Sequence, residues 1–164
     1  MVLAPEHPLV DALTAETWPE DTPRLWRGNA ETPSEAVENY RRKVSELTDL
    51  ERQENQEKTG VYIGAHCAVP VNGHRVPIFI ADYVLMGYGT GAVMSVPGQD
   101  QRDWHFAKAF EIEIIRTVEP PSTFEGDAYA GDGAAINSGF LNGLHIDDAK
   151  RAIIDWLERE GHGS

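Results

Sequence analysis

The 164-residue chain has 41% hydrophobic and 25% charged residues, which fits one globular domain. Its net charge of −13 argues against tight nucleic-acid binding by this chain alone, because phosphate contacts need Lys and Arg. Cys67 is the only cysteine, which excludes an internal disulfide and predicts a reducing, cytoplasmic location. No apolar run approaches the roughly 18 residues of a membrane span, so we expect no membrane partner.

The first strong helix signal is "TPSEAVENYRRKVSEL", which begins at Thr32. Thr32 suits the N-cap, Pro33 the first turn and Glu35 the capping-box position. Apolar residues recur at three- and four-residue steps and predict the buried face: Ala36, Val37, Tyr40, Val44 and Leu47. The charged stretch "TDLERQENQEKTG" follows, and we interpret it as a solvated helix or a mobile arm.

From Val61 onwards the pattern changes to strands. In "VYIGAHCAVPVNGHRVPIFIADYVLM", β-branched and aromatic residues surround the hairpin signal Asn72-Gly73. Pro77 predicts that its strand lies at a sheet edge or begins there, because proline cannot donate to a ladder. A short strand is also expected in "GAVMSV", which Pro97-Gly98 ends.

The last part of the chain mixes both patterns. We predict a helix in "DQRDWHFAKAF" with Asp100 near its start, a strand in "EIIRTV", and a closing helix in "DDAKRAIIDWLEREG" that stops at Gly161. The inner stripe of the closing helix would be Ala149, Ala152, Ile153, Trp156 and Leu157. Hairpins outnumber strand–helix alternations, so we predict an α+β fold around a curled sheet or small barrel.

The stretch "GYGTGAVMSVPGQDQRDWHFAKAF" places two carboxylates and an arginine directly after a predicted strand. Asp100 and Asp103 suit a helix start, where carboxylates meet free N–H groups, and Arg102 would then be a surface charge. Alternatively, Asp103 anchors a ligand ammonium and Arg102 meets a phosphate or carbonyl. From the residues alone, both interpretations stay open.

The block "IADYVLMGYGTGAVMSVPGQDQRDWHFAKAF" closely resembles the editing domain of bacterial-type leucyl-tRNA synthetases, which are class I aminoacyl-tRNA synthetases. The similarity continues through "ERQENQEKTGVYIGAHCAVPVNG" and "YAGDGAAINSGFLNGL" and covers most of the chain. It implies a barrel-like β core flanked by helices. It also implies hydrolysis of wrongly charged tRNA(Leu), within an enzyme that ligates leucine to tRNA(Leu) with ATP.

The resemblance also implies roles for individual residues. Asp103 would bind the free α-amino group of the attached amino acid, with Asp100 and Arg102 as neighbours in a catalytic group. Five residues would contact the substrate, namely Met94 on the amino-acid pocket wall, Leu85 and Tyr88 at the terminal adenosine, and Thr90 and Gln99 nearby. The partners would be the 3′ adenosine of tRNA(Leu) and the remainder of the synthetase. No metal or cofactor is implied for this domain, since ATP and Mg belong to the synthetic domain.

The chain departs from the family pattern in two respects. Gln99 stands where the family usually has histidine, and Gln cannot titrate. The family's threonine-rich segment is expected upstream of Met1, so residues 1–164 are interpreted as a single editing domain shortened at its N-terminal side. On this interpretation we expect the chain alone to be inactive. Two alternatives remain, a non-catalytic binding module that keeps only the fold and a carboxylate-dependent hydrolase of a small molecule.

Overall fold

The computed structural model describes residues 1–55, 57–87 and 89–163. They form two compact units, Met1–Ser95 and Val96–Ser164. Strands and helices are both present, which confirms the predicted α+β class. No helix in the described parts of the chain combines the length and the apolar character that crossing a membrane requires.

Within the described residues, the first unit contains four strands, three α-helices and one 3-10 helix. In chain order these are β1 (Val2–Leu3), α1 (Leu9–Leu13), a 3-10 helix (Arg24–Arg27), α2 (Pro33–Ser45), α3 (Asp49–Glu54), β2 (Gly60–Ala68), β3 (Arg75–Ala81) and β4 (Ala92–Val93). Helix α2 begins as predicted, because the Thr32 hydroxyl accepts a hydrogen bond from the Glu35 N–H at 3.2 Å. The Glu35 carboxylate accepts from the Glu31 N–H at 2.9 Å, which satisfies a further free donor at this end.

The four strands form one open sheet in the order β2-β3-β1-β4. Strands β2 and β3 make the predicted antiparallel hairpin, and Gly73 in its turn has a φ of +70°. Strand β1 runs parallel to β3 and antiparallel to β4. Among the described residues the sheet does not close, so the barrel-like core expected from the resemblance is not seen there.

The prediction for Pro77 was wrong, because β3 lies inside the sheet between β2 and β1. The strand begins at Arg75, so Pro77 is not its first residue either. The ladder between β2 and β3 shifts register between Tyr62 and His66, next to the pair of His66 with Pro77. A missing N–H is tolerated at such an irregularity, where the regular ladder is already interrupted.

Helix α2 and one face of the sheet enclose the main hydrophobic core. Its buried members are Leu3, Val10, Ala30, Ala36, Val37, Tyr40, Val44, Val61, Ile63, Ile78 and Ile80. Alternate residues of β2 and β3 face this core, as the two-residue period of a strand requires. On the same strands Tyr62 and Phe79 are each 1% exposed, and Trp26 meets both rings edge-on at centroid distances of 5.3 and 5.1 Å.

The second unit contains helices α4 (Gln101–Ala109) and α5 (Ile146–Arg159), with a 3-10 helix at Gly139–Leu141. The strand expected in "EIIRTV" does not form in it. Instead, Val118 makes an isolated antiparallel bridge with Ala135, supported by the Glu119 N–H to Ala134 carbonyl bond of 2.9 Å. Apolar β-branched residues predict a strand, but a ladder also needs a regular partner segment, and residues 134–136 provide only a short one.

Candidate functional site

The acidic stretch of the sequence forms a tight turn followed by the first turn of α4. The Val96 carbonyl accepts hydrogen bonds from the N–H groups of Gln99 and Asp100, at 2.8 and 2.9 Å. Gly98 is buried, and a Cβ at this position would lie 2.9 Å from the Ile115 carbonyl oxygen. The Pro97-Gly98 turn therefore allows close backbone approach at the base of the charged cluster.

Asp100 is the N-cap residue of α4, as the sequence predicted. One of its carboxylate oxygens accepts from the N–H groups of Arg102 at 2.8 Å and Asp103 at 3.1 Å. Its backbone has an extended conformation, with φ −112° and ψ 128°, as expected for an N-cap. Asp100 thus satisfies two of the four free donors at this helix end, and its negative charge suits the positive end of the helix dipole.

Among the predicted site residues that the structure describes, Asp103 is the most buried, with 6% of its surface exposed. Its Oδ2 atom accepts a hydrogen bond from the Val96 N–H at 2.7 Å. A buried carboxylate is costly unless it is hydrogen-bonded, and this short bond supplies part of that compensation. An ionised carboxylate has room for several donors, so a structural bond and a ligand contact are chemically compatible.

Arg102 differs from the two carboxylates in its exposure. Its side chain is 72% exposed, and its Nη2 atom lies 3.6 Å from an Asp100 oxygen. An exposed ion pair at this distance contributes little to stability, at most about 1 kcal/mol. The Arg102 guanidinium is therefore accessible to solvent and to any anionic or carbonyl ligand at this turn.

Residues from the later part of the unit brace the turn, and the local sequence pattern did not reveal them. The Gln99 amide donates to the Thr117 hydroxyl at 2.7 Å, and the Tyr129 N–H donates to the Gly98 carbonyl at 2.9 Å. The Gln101 amide nitrogen lies 3.2 Å from an Asp127 oxygen. These contacts span 18 to 31 positions along the chain, so spacing alone cannot predict them.

Arg116 holds the bracing segment itself in place. Its Nη2 atom donates to the carbonyls of Gly126 and Asp127 at 3.2 and 2.6 Å. Its guanidinium carbon lies 5.5 Å from the ring centre of Trp104 and 5.3 Å from that of Phe124. These cation–π distances connect the 124–127 segment to helix α4 through one side chain.

The remaining predicted site residues belong to the first unit, in and after the connection between β3 and β4. Leu85 is half-buried, Thr90 is exposed, and Met94 is 68% exposed just after β4. The Thr90 hydroxyl is 3.4 Å from both the N and O atoms of Ala92, so it braces the turn into β4. Tyr88 lies outside the described residues.

The predicted roles of all these residues in substrate binding and catalysis stay predictions. The structure brings Gln99, Asp100, Arg102 and Asp103 together at one turn, and it places Leu85 and Thr90 in one connection. Across residues 1–55, 57–87 and 89–163, no group of three or more His, Cys, Asp or Glu side chains is arranged to hold a metal ion. The expectation of no cofactor in this domain also stays a prediction.

Comparison with known proteins defines the class of this molecule. The family model of the leucyl-tRNA synthetase editing domain matches residues 1–158, so the chain belongs to that family. It is 60% identical over 170 aligned residues to the leucine–tRNA ligase of Saccharopolyspora erythraea, which covers 100% of this chain and 18% of the relative. The leucine–tRNA ligase of Nocardia farcinica is 56% identical over 164 residues, covering 100% of this chain and 17% of the relative.

A solved structure agrees with the family assignment. The LeuRS of Agrobacterium radiobacter, in a ternary complex with tRNA and LeuAMS, superposes with a TM-score of 0.65. The sequences are 25% identical, and the match covers 97% of this chain and 15% of the LeuRS chain. The chain therefore spans less than a fifth of the length of the relatives it matches.

Proposed function

We propose that this domain removes wrongly attached amino acids, such as norvaline or isoleucine, from tRNA(Leu) within a synthetase that ligates leucine to tRNA with ATP. The observation that carries the proposal is the family match over residues 1–158, which includes the whole Asp100–Asp103 turn. In the reaction, water attacks the ester carbonyl, the ester C–O bond breaks, and the tRNA hydroxyl leaves with a proton. The products are the free amino acid and uncharged tRNA.

Such a reaction is needed because leucine and its close analogues differ little in size and shape. One methylene in a hydrophobic pocket changes binding by only about 1–3 kcal/mol, so a synthetic site alone accepts close analogues of leucine too often. A second site that hydrolyses the wrong product supplies the missing discrimination. Exposed Met94, which the resemblance places on the pocket wall, would contact the amino-acid side chain in this second site.

Asp103 is the residue we propose for the α-amino group. An ammonium requires an opposite charge and hydrogen-bond acceptors, and a buried carboxylate provides both with little competition from water. Val96 fixes the carboxylate through its N–H, so the charge is positioned before the substrate arrives. Exposed Arg102 and capping Asp100 would lie beside it at the same turn.

We propose that the terminal adenosine lies against the connection between β3 and β4. Leu85 and Tyr88 would contact the base and sugar, with Thr90 beside them. Gln99, where the family usually has histidine, holds Thr117 through its amide and would serve as a neutral hydrogen-bonding residue.

The net charge of the chain indicates which part of the synthetase would bind most of the tRNA. With a net charge of −13, the chain has little capacity to grip phosphates, so the remainder of the synthetase would hold the tRNA body. The single free Cys67 fits a reducing compartment, and we propose the cytoplasm as its location.

The test compares two substitutions in helix α4 of the full synthetase. Asp103→Asn keeps the size of the side chain and an oxygen for the Val96 N–H, but it removes the charge that an ammonium needs. A charge-assisted contact is worth about 1.5–3 kcal/mol, so we expect deacylation of mischarged tRNA to slow by roughly 10- to 100-fold. Lys108→Ala, at the exposed end of the same helix and outside the proposed site, is the control and should deacylate at the wild-type rate. Leucine activation should survive in both variants.

A purely structural role for the carboxylates is the competing interpretation, and the hydrogen bonds of both Asp side chains to backbone N–H groups favour it. Under that interpretation the two carboxylates only hold the turn and the start of α4. Asp103→Asn would then deacylate mischarged tRNA at the wild-type rate, and this result would exclude Asp103 as the ammonium anchor.

A further inference from the structure

Arg52 is a buried cation in a segment whose sequence suggested a solvated helix or mobile arm. It lies on α3, and only 5% of its surface is exposed. Its Nε atom donates to the Asp82 carbonyl at 2.9 Å, and its Nη2 atom donates to the Val84 carbonyl at 3.0 Å. Its Nη1 atom donates to the Glu6 carboxylate at 2.9 Å. The planar guanidinium thus joins two backbone carbonyls and one carboxylate.

Asp82, the first residue that Arg52 holds, is fixed at two further points. Its N–H donates to the Tyr40 hydroxyl at 2.9 Å, and that hydroxyl shares a 2.8 Å hydrogen bond with Thr59. Its Oδ2 atom accepts from the Asn55 amide at 3.1 Å. Asp82 is 2% exposed and its bond to the Tyr40 hydroxyl is buried, so the loss of that bond would be costly.

These contacts act on the start of the β3–β4 loop, which we define as residues 82–87 and 89–91. Strand β3 ends at Ala81, and the two carbonyls held by Arg52 belong to Asp82 and Val84, between the end of β3 and Leu85. The other end of the loop is fixed by the Ala4 N–H, which donates to the Gly91 carbonyl at 2.8 Å. Leu85 and Thr90, proposed above for the terminal adenosine, lie between these two attachments.

Desolvating a guanidinium costs several kcal/mol unless its donors are matched. Arg52 is therefore stable in this position only while the loop carbonyls keep their present arrangement. The loop depends on Arg52 in turn, because the two buried carbonyls would lose their hydrogen-bond donors without it. The loop would then rearrange to reach water or other partners.

We infer that Arg52 is a positioning residue for the adenosine-binding loop of the editing reaction. It does not touch substrate; it fixes the backbone from which Leu85 and Thr90 project. This inference rests on the proposed function. It also predicts a conformational effect on the β3–β4 loop that can be measured without any substrate.

The test uses the full synthetase and a matched control. Arg41, on α2, also holds a backbone carbonyl, that of Pro5 at 2.6 Å, together with the Asp11 carboxylate at 2.6 Å. Neither partner belongs to the β3–β4 loop. Arg52→Met should raise KM for mischarged tRNA about tenfold, a factor that corresponds to about 1.4 kcal/mol, with a smaller change in kcat. Arg41→Met should change KM less than about twofold.

A conservative variant separates positioning from simple stability. Arg52→Lys keeps the charge beside Glu6, but one ammonium cannot reproduce the fork that reaches both carbonyls. We expect its KM to lie between those of the wild type and Arg52→Met. If Arg52→Met does not fold, Arg52→Lys decides the question. A wild-type KM in every folded Arg52 variant, or an equal rise in Arg41→Met, would overturn the inference.

Hydrogen exchange gives the substrate-free measurement. Amides of the β3–β4 loop should exchange faster in both Arg52 variants than in Arg41→Met. The exchange rates of the α2 amides in the Arg52 variants should stay close to those of the wild type. Unchanged loop exchange in the Arg52 variants would overturn the positioning role even if editing is slowed. If the wild-type enzyme fails to hydrolyse mischarged tRNA, the proposed function is wrong, and the exchange result alone then decides whether Arg52 holds the loop.

Discussion

Helices α2 and α5 have similar sequence patterns and very different surroundings. They are 13 and 14 residues long, and each has apolar residues at three- and four-residue steps. Helix α2 buries Pro33, Ala36, Val37, Tyr40 and Val44, whereas α5 has no buried residue. The period therefore predicts that a helix forms and which side is apolar, but not how completely that side is covered.

The difference follows from what each helix packs against. Helix α2 lies on the extended surface of β2 and β3, where long strands supply a continuous apolar face. Helix α5 meets the 3-10 helix at Gly139–Leu141 and the segment around Ala135, and a cavity of about 220 Å³ remains beside Ala149 and Ile153. Burial supplies most of the free energy of folding, so substitutions in the two helices should have unequal effects.

The largest expected effect comes from truncating a core residue of α2. Val44 is 2% exposed, and Val44→Ala should lower the free energy of unfolding by about 2–3 kcal/mol through lost burial and a residual cavity. In α5, Ile154 is 52% exposed, and Ile154→Ala should change the free energy of unfolding by less than about 0.5 kcal/mol. Urea unfolding followed by circular dichroism measures both. Equal losses would contradict the contrast between the helices.

The second prediction concerns the Tyr40 hydroxyl, which α2 buries against Asp82 and Thr59. Tyr40→Phe leaves the Asp82 N–H without this acceptor and should cost about 1–2 kcal/mol at neutral pH. Burial raises the pKa of Tyr40 above its usual range, and the nearby Asp82 carboxylate raises it further. Above about pH 10, the unfolded chain loses a proton that the native state keeps, so stability falls as pH rises.

The fall in stability above about pH 10 can be tested by comparing the wild type with Tyr40→Phe. In Tyr40→Phe this source of alkaline destabilisation is removed, so the gap between wild type and variant should narrow as pH rises above about 10. Urea titrations at a series of pH values measure the gap. A gap that is constant or widens would show that the Tyr40 proton does not contribute in this way.

Local patterns predicted those parts of the fold that depend on neighbouring residues. The Thr32 cap, the Asn72-Gly73 hairpin, the Asp100 N-cap and the stop of α5 at Gly161 each rest on side chains within a few positions of the backbone they affect. The resemblance added the family, which the comparisons confirmed.

Features that depend on distant residues could not be predicted in this way. The place of β3 inside the sheet needs β1, which is 72 positions before the start of β3, and the failed strand in "EIIRTV" depends on the short length of its partner. Arg52 was assigned to solvent because its neighbours in sequence are charged, but its carbonyl partners lie 30 and 32 residues away. At the candidate site, Asp100 was predicted from its spacing, whereas Thr117 and Asp127 were not.

The third prediction tests whether caps or burial control α2. Thr32→Ala removes the acceptor for the Glu35 N–H and should lower the free energy of unfolding by about 1 kcal/mol. This is less than the loss expected for Val44→Ala, since a cap is exposed to water that can replace it. Unfolding in urea checks the value, and Thr32→Ser, which keeps the hydroxyl, should stay within about 0.5 kcal/mol of the wild type.

The smallest expected effect is a gain in α5. Its N-cap residue, His145, has the extended φ of −70° and ψ of 159° that a cap needs, but its side chain makes no capping hydrogen bond. His145→Ser places a hydroxyl where it can accept from the N–H of Asp147 or Asp148, and both carboxylates already favour the positive helix end. We expect a gain of about 0.5 kcal/mol, at the low end for caps, because an incompletely covered helix transmits only part of its own stability to the unit. Hydrogen exchange of the α5 amides measures this gain locally, with His145→Ala as the control that adds no acceptor. Slower exchange in both variants would show that loss of the imidazole, and not the new cap, stabilises the helix.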